Sequence, residues 1–227
     1  MPDRINNTGT GSADSSNALH VAEQAASHGL KDEQGWIHAP SATLLPADTT
    51  FKGGLDGATA SDFWQWGFSD LRLNIVRGIF AEFLVAKAVG DPADTLRDPW
   101  ANFDVRTLEG VTIEVKSSAY LQAWPMKRLT TPTFTSLTSH GDAREGKSVE
   151  REVRADVFVF CLHTARSHAE YDPLDVTQWK FWVMSATRVR FHGTRQVGLT
   201  FVKENSPTYV WSDLREAVLA ASSERDI

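Results

Sequence analysis

Asp104, Glu114 and Lys116 are the residues in this 227-residue chain whose types and spacing could do chemistry together. They sit in NFDVRT, a short break at Leu108-Glu109-Gly110, and VTIEVKSSA. Read as two strands and a turn, side chains alternate between faces. Ile113 and Val115 point one way, Glu114 and Lys116 the other. A three-residue loop with Gly110 at its left-handed position pairs Thr107 with Val111, Arg106 with Thr112, Val105 with Ile113 and Asp104 with Glu114. The two carboxylates then stand opposite one another, with Cβ atoms about 5 Å apart. A two-residue turn would move Asp104 to the face of Val115. Facing carboxylates repel by about 4 kcal/mol at about 4 Å and an effective dielectric near 20. A divalent cation removes that penalty, and hard oxygen ligands suit Mg²⁺, with Mn²⁺ as a substitute.

Glu82 is a third acid. It falls in LRLNIVRGIFAEFLVAKAV, the strongest helical pattern in the chain, which Asp70 could cap and Gly90 ends ahead of Asp91-Pro92. Its helical neighbours are Ile75, Gly78, Ile79, Val85, Ala86 and Val89, so it lies on the apolar stripe, where an unpaired charge is costly. Asn74 and Lys87 mark the solvent side. The alternative is a glutamate at the stripe's margin, snorkelling or paired with a base from elsewhere.

The elements that position these residues begin near Ser61. Ser61-Asp62 starts a helix through FWQWGF. After the hairpin, residues 125–153 form a long loop or an inserted hairpin. ADVFVFCLHTA is a near-continuous apolar run, typical of a strand buried on both faces. KFWVMSATRVRF reads as another strand and QVGLTFVK as one more, before a helix capped at Ser212-Asp213 over LREAVLAASS. The expectation is an α/β fold of the mixed α+β kind: a central mixed sheet with helices against it. Residues 1–17 read as a disordered tail, 18–60 as an N-terminal extension with a short helix over Ala18–His28, and 61–227 as the main domain.

Composition is ordinary for a globular protein, with 41% hydrophobic and 23% charged residues. No apolar run reaches the roughly 18 residues of a membrane span, so no membrane partner is expected. Cys161 is the single cysteine. It excludes an internal disulfide or CxxC zinc site and fits a reducing, cytoplasmic setting. The net charge of −6 argues against a protein that coats nucleic acid. The charge is uneven, however: Val176 to Lys203 contains no acid but holds Lys180, Arg188, Arg190, Arg195 and Lys203.

Glu82 in a helix, Asp104, then Glu114-Val115-Lys116 in a strand resemble the PD-(D/E)XK nuclease superfamily, with its restriction-endonuclease-like core of helix–strand–strand–strand–helix–strand. The resemblance covers about residues 61–220. Phe103 stands where that family commonly has Pro. The helix between the last two core strands falls on about 168–179. By this resemblance, Asp104, Glu114 and the Val115 carbonyl would bind Mg²⁺, which would hold the scissile phosphate and activate water. Lys116 would orient that water and offset charge on phosphorus. Glu82 would hold a second metal ion or a water on the first. Gln122, six residues after Lys116, falls where a polar residue contacts the site, and Ser117 and Ser118 would be supporting contacts or plain strand-end caps. The implied reaction is phosphodiester hydrolysis in DNA, duplex first, leaving a 5′-phosphate, in restriction or phage defence. Cutting both strands would call for a homodimer. The rivals are a catalytically silent DNA-binding or assembly module of the same fold, and a structural domain with a chance motif.

Other residues are read as structural. Trp64, Trp66, Trp179 and Trp182 are expected to fill the core. Trp124 beside Pro125 could stack on a base, with packing the favoured role. The histidines match no HExxH or zinc spacing, and neither a GK[ST] phosphate loop nor GxSxG occurs. Lys127, Arg128, Arg144, Lys147, Arg151 and Arg154 could track a DNA backbone, interleaved with five acids.

Overall fold

The computed structural model describes residues 42–55, 57–91, 96–138 and 152–224. The chain divides into one unit over residues 1–43 and a second, Leu44–Ile227, which holds every element below. The expected tail, the helix over Ala18–His28, and Arg144, Lys147 and Arg151 lie outside the described residues.

Helix α1 (Ala60–Phe68) begins one residue earlier than expected, because Thr59 caps it. The Asp62 N–H donates to the Thr59 hydroxyl, and the Asp62 carboxylate accepts the Thr59 N–H at 2.7 Å. Helix α2 (Asn74–Val89) starts later than the pattern predicts. Asp70 does not cap it. Its carboxylate instead takes the Arg72 N–H at 3.1 Å and Nε–H at 2.8 Å, which holds the chain in a turn before the helix. Gly90, at φ 74°, closes α2 in the left-handed conformation that glycine adopts without strain.

Four strands form a mixed sheet in the order β1-β2-β4-β5. Strand β1 (Val105–Arg106) runs antiparallel to β2 (Thr112–Ala119), β2 parallel to β4 (Val157–His163), and β4 antiparallel to β5 (Trp179–Ser185). The small strand β3 (Thr133–Thr135) lies in the β2–β4 connection and pairs with β6 (Gln196–Gly198), making a second sheet. Helices α3 (Ala186–His192), α4 (Leu199–Asn205) and α5 (Leu214–Ser222) complete the described α-helices.

Alternation along the strands builds two cores. Ile113 and Val115 of β2, Val157, Val159 and Cys161 of β4, and Trp179, Phe181 and Val183 of β5 pack against α2 and α5. Phe158, Phe160 and Leu162 of β4, with Trp182 and Met184, face the other way, onto β3, β6, α3 and α4. Strand β4 is therefore buried on both faces, as its apolar run predicts. The outcome is a mixed α/β fold with helices on both sides of a mixed sheet.

Several segments differ from the sequence expectation. Of NFDVRT, only Val105–Arg106 join the ladder. KFWVMSATRVRF is a strand only to Ser185, and Ala186–His192 is helical. QVGLTFVK is likewise β6 followed by α4. Residues 168–179 hold no α-helix, only a 3₁₀ turn at Val176–Gln178, because β4 and β5 are antiparallel and need no helical crossover. Trp179 and Trp182 are buried, but Trp66 is 85% exposed and Trp64 also lies at the surface, since α1 buries only Ala60.

Candidate active site

The β1–β2 hairpin has the register that its three-residue loop requires. Val105 faces Ile113 and Arg106 faces Thr112. The Thr107 N–H donates to Val111 O at 3.0 Å, and Gly110 turns the chain at φ 90°. Beyond Val105 the chain leaves the ladder, and the Asp104 side chain takes over. Its backbone N–H donates to Ile113 O at 2.9 Å, and its carboxylate accepts the Val115 N–H at 2.8 Å. A strand residue projects its N–H and C=O to the same side. The Val115 carbonyl therefore faces the sheet edge where the Asp104 carboxylate sits.

Glu114 and Lys116 alternate with Ile113 and Val115 and share the opposite face, in register with Phe158 and Phe160 of β4. The Lys116 ammonium donates to the Glu114 carboxylate, and both side chains are more than four-fifths buried. Glu82 comes from α2, at the margin of its buried stripe of Ala81, Leu84, Val85 and Val89. Ile75, expected on that stripe, is exposed. Arg97 forks onto Glu82, with Nη2 at 3.0 Å from Oε1 and Nε on Oε2. The glutamate thus has a base from elsewhere in the fold as its partner.

Asp104 is the electrostatic focus. Burial, then the neighbouring charges of Glu114 and Glu82, push its carboxyl up to about 7, against the pull of the Val115 N–H and Lys116. Of the predicted site residues, Glu82, Glu114 and Lys116 are each near enough to act on the charge of Asp104, Glu82 from the α2 side of the sheet and Glu114 and Lys116 from β2. Gln122 is not among them: its amide is buried after β2 and donates to Ala119 O at 3.3 Å and Thr130 Oγ1 at 3.2 Å, where it secures the turn out of the strand. Ser118 is buried, and Ser117 faces Gly78 of α2.

A cleft of about 510 Å³ opens beside Asp104. Glu82, Phe83, Arg97, Phe103, Asp104 and Arg106 line it, while Glu114 and Lys116 are not part of its wall. Sequence reading missed Arg97, Phe83, Phe103 and Arg106. Arg97 lies in an irregular stretch with no period to place it, and the one available signal was that a buried Glu82 needs a cation.

The donor set fits a hard divalent ion. Mg²⁺ is commonly held by one or two carboxylates, with waters and substrate phosphate completing its shell. Asp104, Glu114 and the Val115 carbonyl supply oxygen only, and the excess negative charge around Asp104 is of the kind a cation offsets. Among the described residues, no group of three His, Cys, Asp or Glu side chains could hold a metal ion by itself.

Several of the remaining candidates have structural partners. Cys161 is buried, and desolvation pushes its thiol up, away from thiolate chemistry. His192 stacks on Phe201 at 3.9 Å. Arg188 of the acid-free stretch is paired with Glu224, and Arg154 with Glu152. No helix among the described residues is long and apolar enough to cross a membrane. In comparisons with known proteins, no family model matches the chain, and no curated protein matches it in sequence.

Proposed function

We propose that the chain is a metal-dependent DNA endonuclease with a restriction-endonuclease-like core, a cytoplasmic enzyme of restriction or phage defence that acts as a homodimer where both strands are cut. One observation carries the reading: Asp104 reaches Val115 from the end of β1 and lies within electrostatic reach of Glu114, Lys116 and Glu82. On this reading the three acids and one amine of the PD-(D/E)XK pattern, drawn from α2, the residue before β1, and β2, would form one site.

Asp104, Glu114 and the Val115 carbonyl would hold Mg²⁺. When bound, the ion supplies Lewis-acid polarisation of the phosphate and acidifies water. The chain's own residues do the rest. Asp104 is fixed to the β2 backbone, so the ligand oxygen is aimed by the sheet. Lys116 has three N–H donors, one of them on Glu114. The others are available to a phosphate oxygen or to the attacking water as negative charge grows. Arg97 fixes the Glu82 carboxylate beside Asp104. Water adds to phosphorus in line with the departing 3′ oxygen. The P–O3′ bond breaks, that oxygen takes a proton, and a 5′-phosphate remains.

The Glu82–Arg97 and Glu114–Lys116 pairs favour a second reading, a catalytically silent module, because they make the cluster tolerable without metal. A plasmid-nicking assay separates the two. Mg²⁺-dependent nicking that EDTA, Asp104→Asn or Lys116→Ala abolishes supports the enzyme. Nicking that survives both substitutions removes this site, and DNA binding without cleavage leaves the silent module.

A further inference from the structure

The cleft beside Asp104 has more room than a phosphate group needs. Its volume of about 510 Å³ falls within the roughly 300–1,000 Å³ of sites for organic ligands. Its walls carry two flat surfaces. Phe83 is 52% exposed at the cleft although it belongs to the central helix, with Phe80 stacked beside it at 6.2 Å and the Lys87 ammonium 5.4 Å from its ring centroid. Phe103 is covered on one side by Arg106, whose guanidinium lies 4.5 Å from the ring centroid. The wall charges select what can enter. Glu82, Asp91, Asp98 and Asp104 outnumber Arg97 and Arg106. That balance repels a second backbone phosphate but not an uncharged ring, whose exocyclic amines a carboxylate can accept.

We propose that this cleft takes one unpaired nucleobase, from a single strand or turned out of a duplex, seated against Phe83 and Phe103 beside the phosphate at Asp104. A paired base is stacked on both faces and cannot enter, so the cleft selects for DNA with an unpaired nucleotide next to the cut. Aromatic rings serve this purpose without regard to sequence, since every base has a π face. The proposal rests on the nuclease reading for which bond lies alongside, but its binding test does not.

The test uses the full chain and three fluorescein-labelled oligonucleotides of equal length: a single strand, a perfect duplex, and the same duplex with one central mismatch. Binding is followed by anisotropy in Ca²⁺, with the DNA checked intact on a denaturing gel. The single strand or the mismatched duplex is expected to bind at least tenfold more tightly than the perfect duplex. Phe83→Ala removes roughly tenfold of that preference, and Phe83→Tyr, which retains the ring, keeps it. A preference for the single strand alone points to a strand threaded through the cleft, and one for the mismatch alone to extrusion. Equal or tighter binding of the perfect duplex, no binding of any DNA, or a preference indifferent to Phe83→Ala overturns the assignment. The preference without Mg²⁺-dependent cleavage would remove the nuclease reading alone. Cleavage of perfect duplex without the preference would remove the cleft assignment alone.

Discussion

The carboxylate of Asp104 accepts the backbone N–H of Val115 at 2.8 Å, so a side chain fills the place of a ladder carbonyl where β1 ends. Val115 stands between Glu114 and Lys116 in sequence. One hydrogen bond therefore ties the acid just before β1 to the strand that carries the other two charged groups. Placing such a cluster on rigid sheet backbone restricts its geometry more than any loop could.

Asp104→Asn keeps the shape and the acceptor for Val115 N–H, and removes the charge. Cleavage in Mg²⁺ should disappear, and the metal-free protein should gain stability at high pH. Well below pH 4, Asp104 is protonated both folded and unfolded. Its folded carboxyl titrates near 7 instead of 3.8, so the folded protein keeps a proton that the unfolded chain has released. Its contribution to stability is lost as pH rises from about 4 through about 7. In EDTA, the wild-type melting temperature should fall between pH 5 and pH 8 by several degrees more than that of Asp104→Asn, at about 3 °C per kcal/mol for a chain of this size. Mg²⁺ should restore the wild type at pH 8 and do less at pH 5. Parallel pH curves for the two proteins would refute this account.

Lys116→Ala separates rate from metal binding. The ammonium is bonded to Glu114, so removing it leaves that carboxylate freer and the site more negative. Calorimetric titration with Mg²⁺ should show affinity kept or increased. The single-turnover cleavage rate should fall by about 10²–10⁴, the range for a positioned proton-transfer or charge-stabilising group. Loss of Mg²⁺ affinity with an unchanged rate would reverse the assigned roles.

The hairpin and the buried strand were legible because each has a short-range cause. Gly110 fits the left-handed position of its loop, and period-two alternation does the rest. β4 is apolar at nearly every position because both its faces are covered. What escaped sequence reading depends on distant partners. Thr-Arg-Val-Arg-Phe after Ser185 alternates like a strand, yet it folds as α3, with Ala186 and Val189 packed beneath Phe134 and Val197. The β3–β6 pairing joins segments about 60 residues apart, and neither strand exceeds three residues. Arg97 was invisible because nothing local assigns a free arginine to a glutamate 15 positions earlier. Trp66 shows that a count of tryptophans does not say which of them the fold buries.

The two classes of tryptophan should respond differently to truncation. Trp182 is 1% exposed, beside Phe160 of β4 and in the core that faces the β3–β6 layer, while Trp66 is 85% exposed on α1. Trp182→Ala should cost about 3–5 kcal/mol through lost burial and the cavity left behind. Trp66→Ala should stay within about 0.5 kcal/mol of the wild type. Urea unfolding followed by far-ultraviolet circular dichroism measures both. A large loss from Trp66→Ala would mean that α1 is covered in solution by something absent from its described surroundings.

The loop before β2 controls the whole site through register, and two changes there should part stability from activity. Gly110 holds φ 90°, which an alanine adopts only with strain. Gly110→Ala should cost about 1 kcal/mol or somewhat more and leave cleavage intact once the protein is folded. Deleting Leu108, which is 69% exposed, shortens the loop to two residues. A one-residue slip turns every β1 side chain to the other face of the sheet. Asp104 would then lose the position from which its carboxylate reaches the Val115 N–H, while Val105 would leave the core it shares with α2. Circular dichroism should retain most of its helical signal because α2 and α5 keep β4 and β5 beneath them, whereas Mg²⁺-dependent nicking should vanish. A deletion variant that nicks plasmid at the wild-type rate would show that catalysis does not depend on the register that sets Asp104 against Val115.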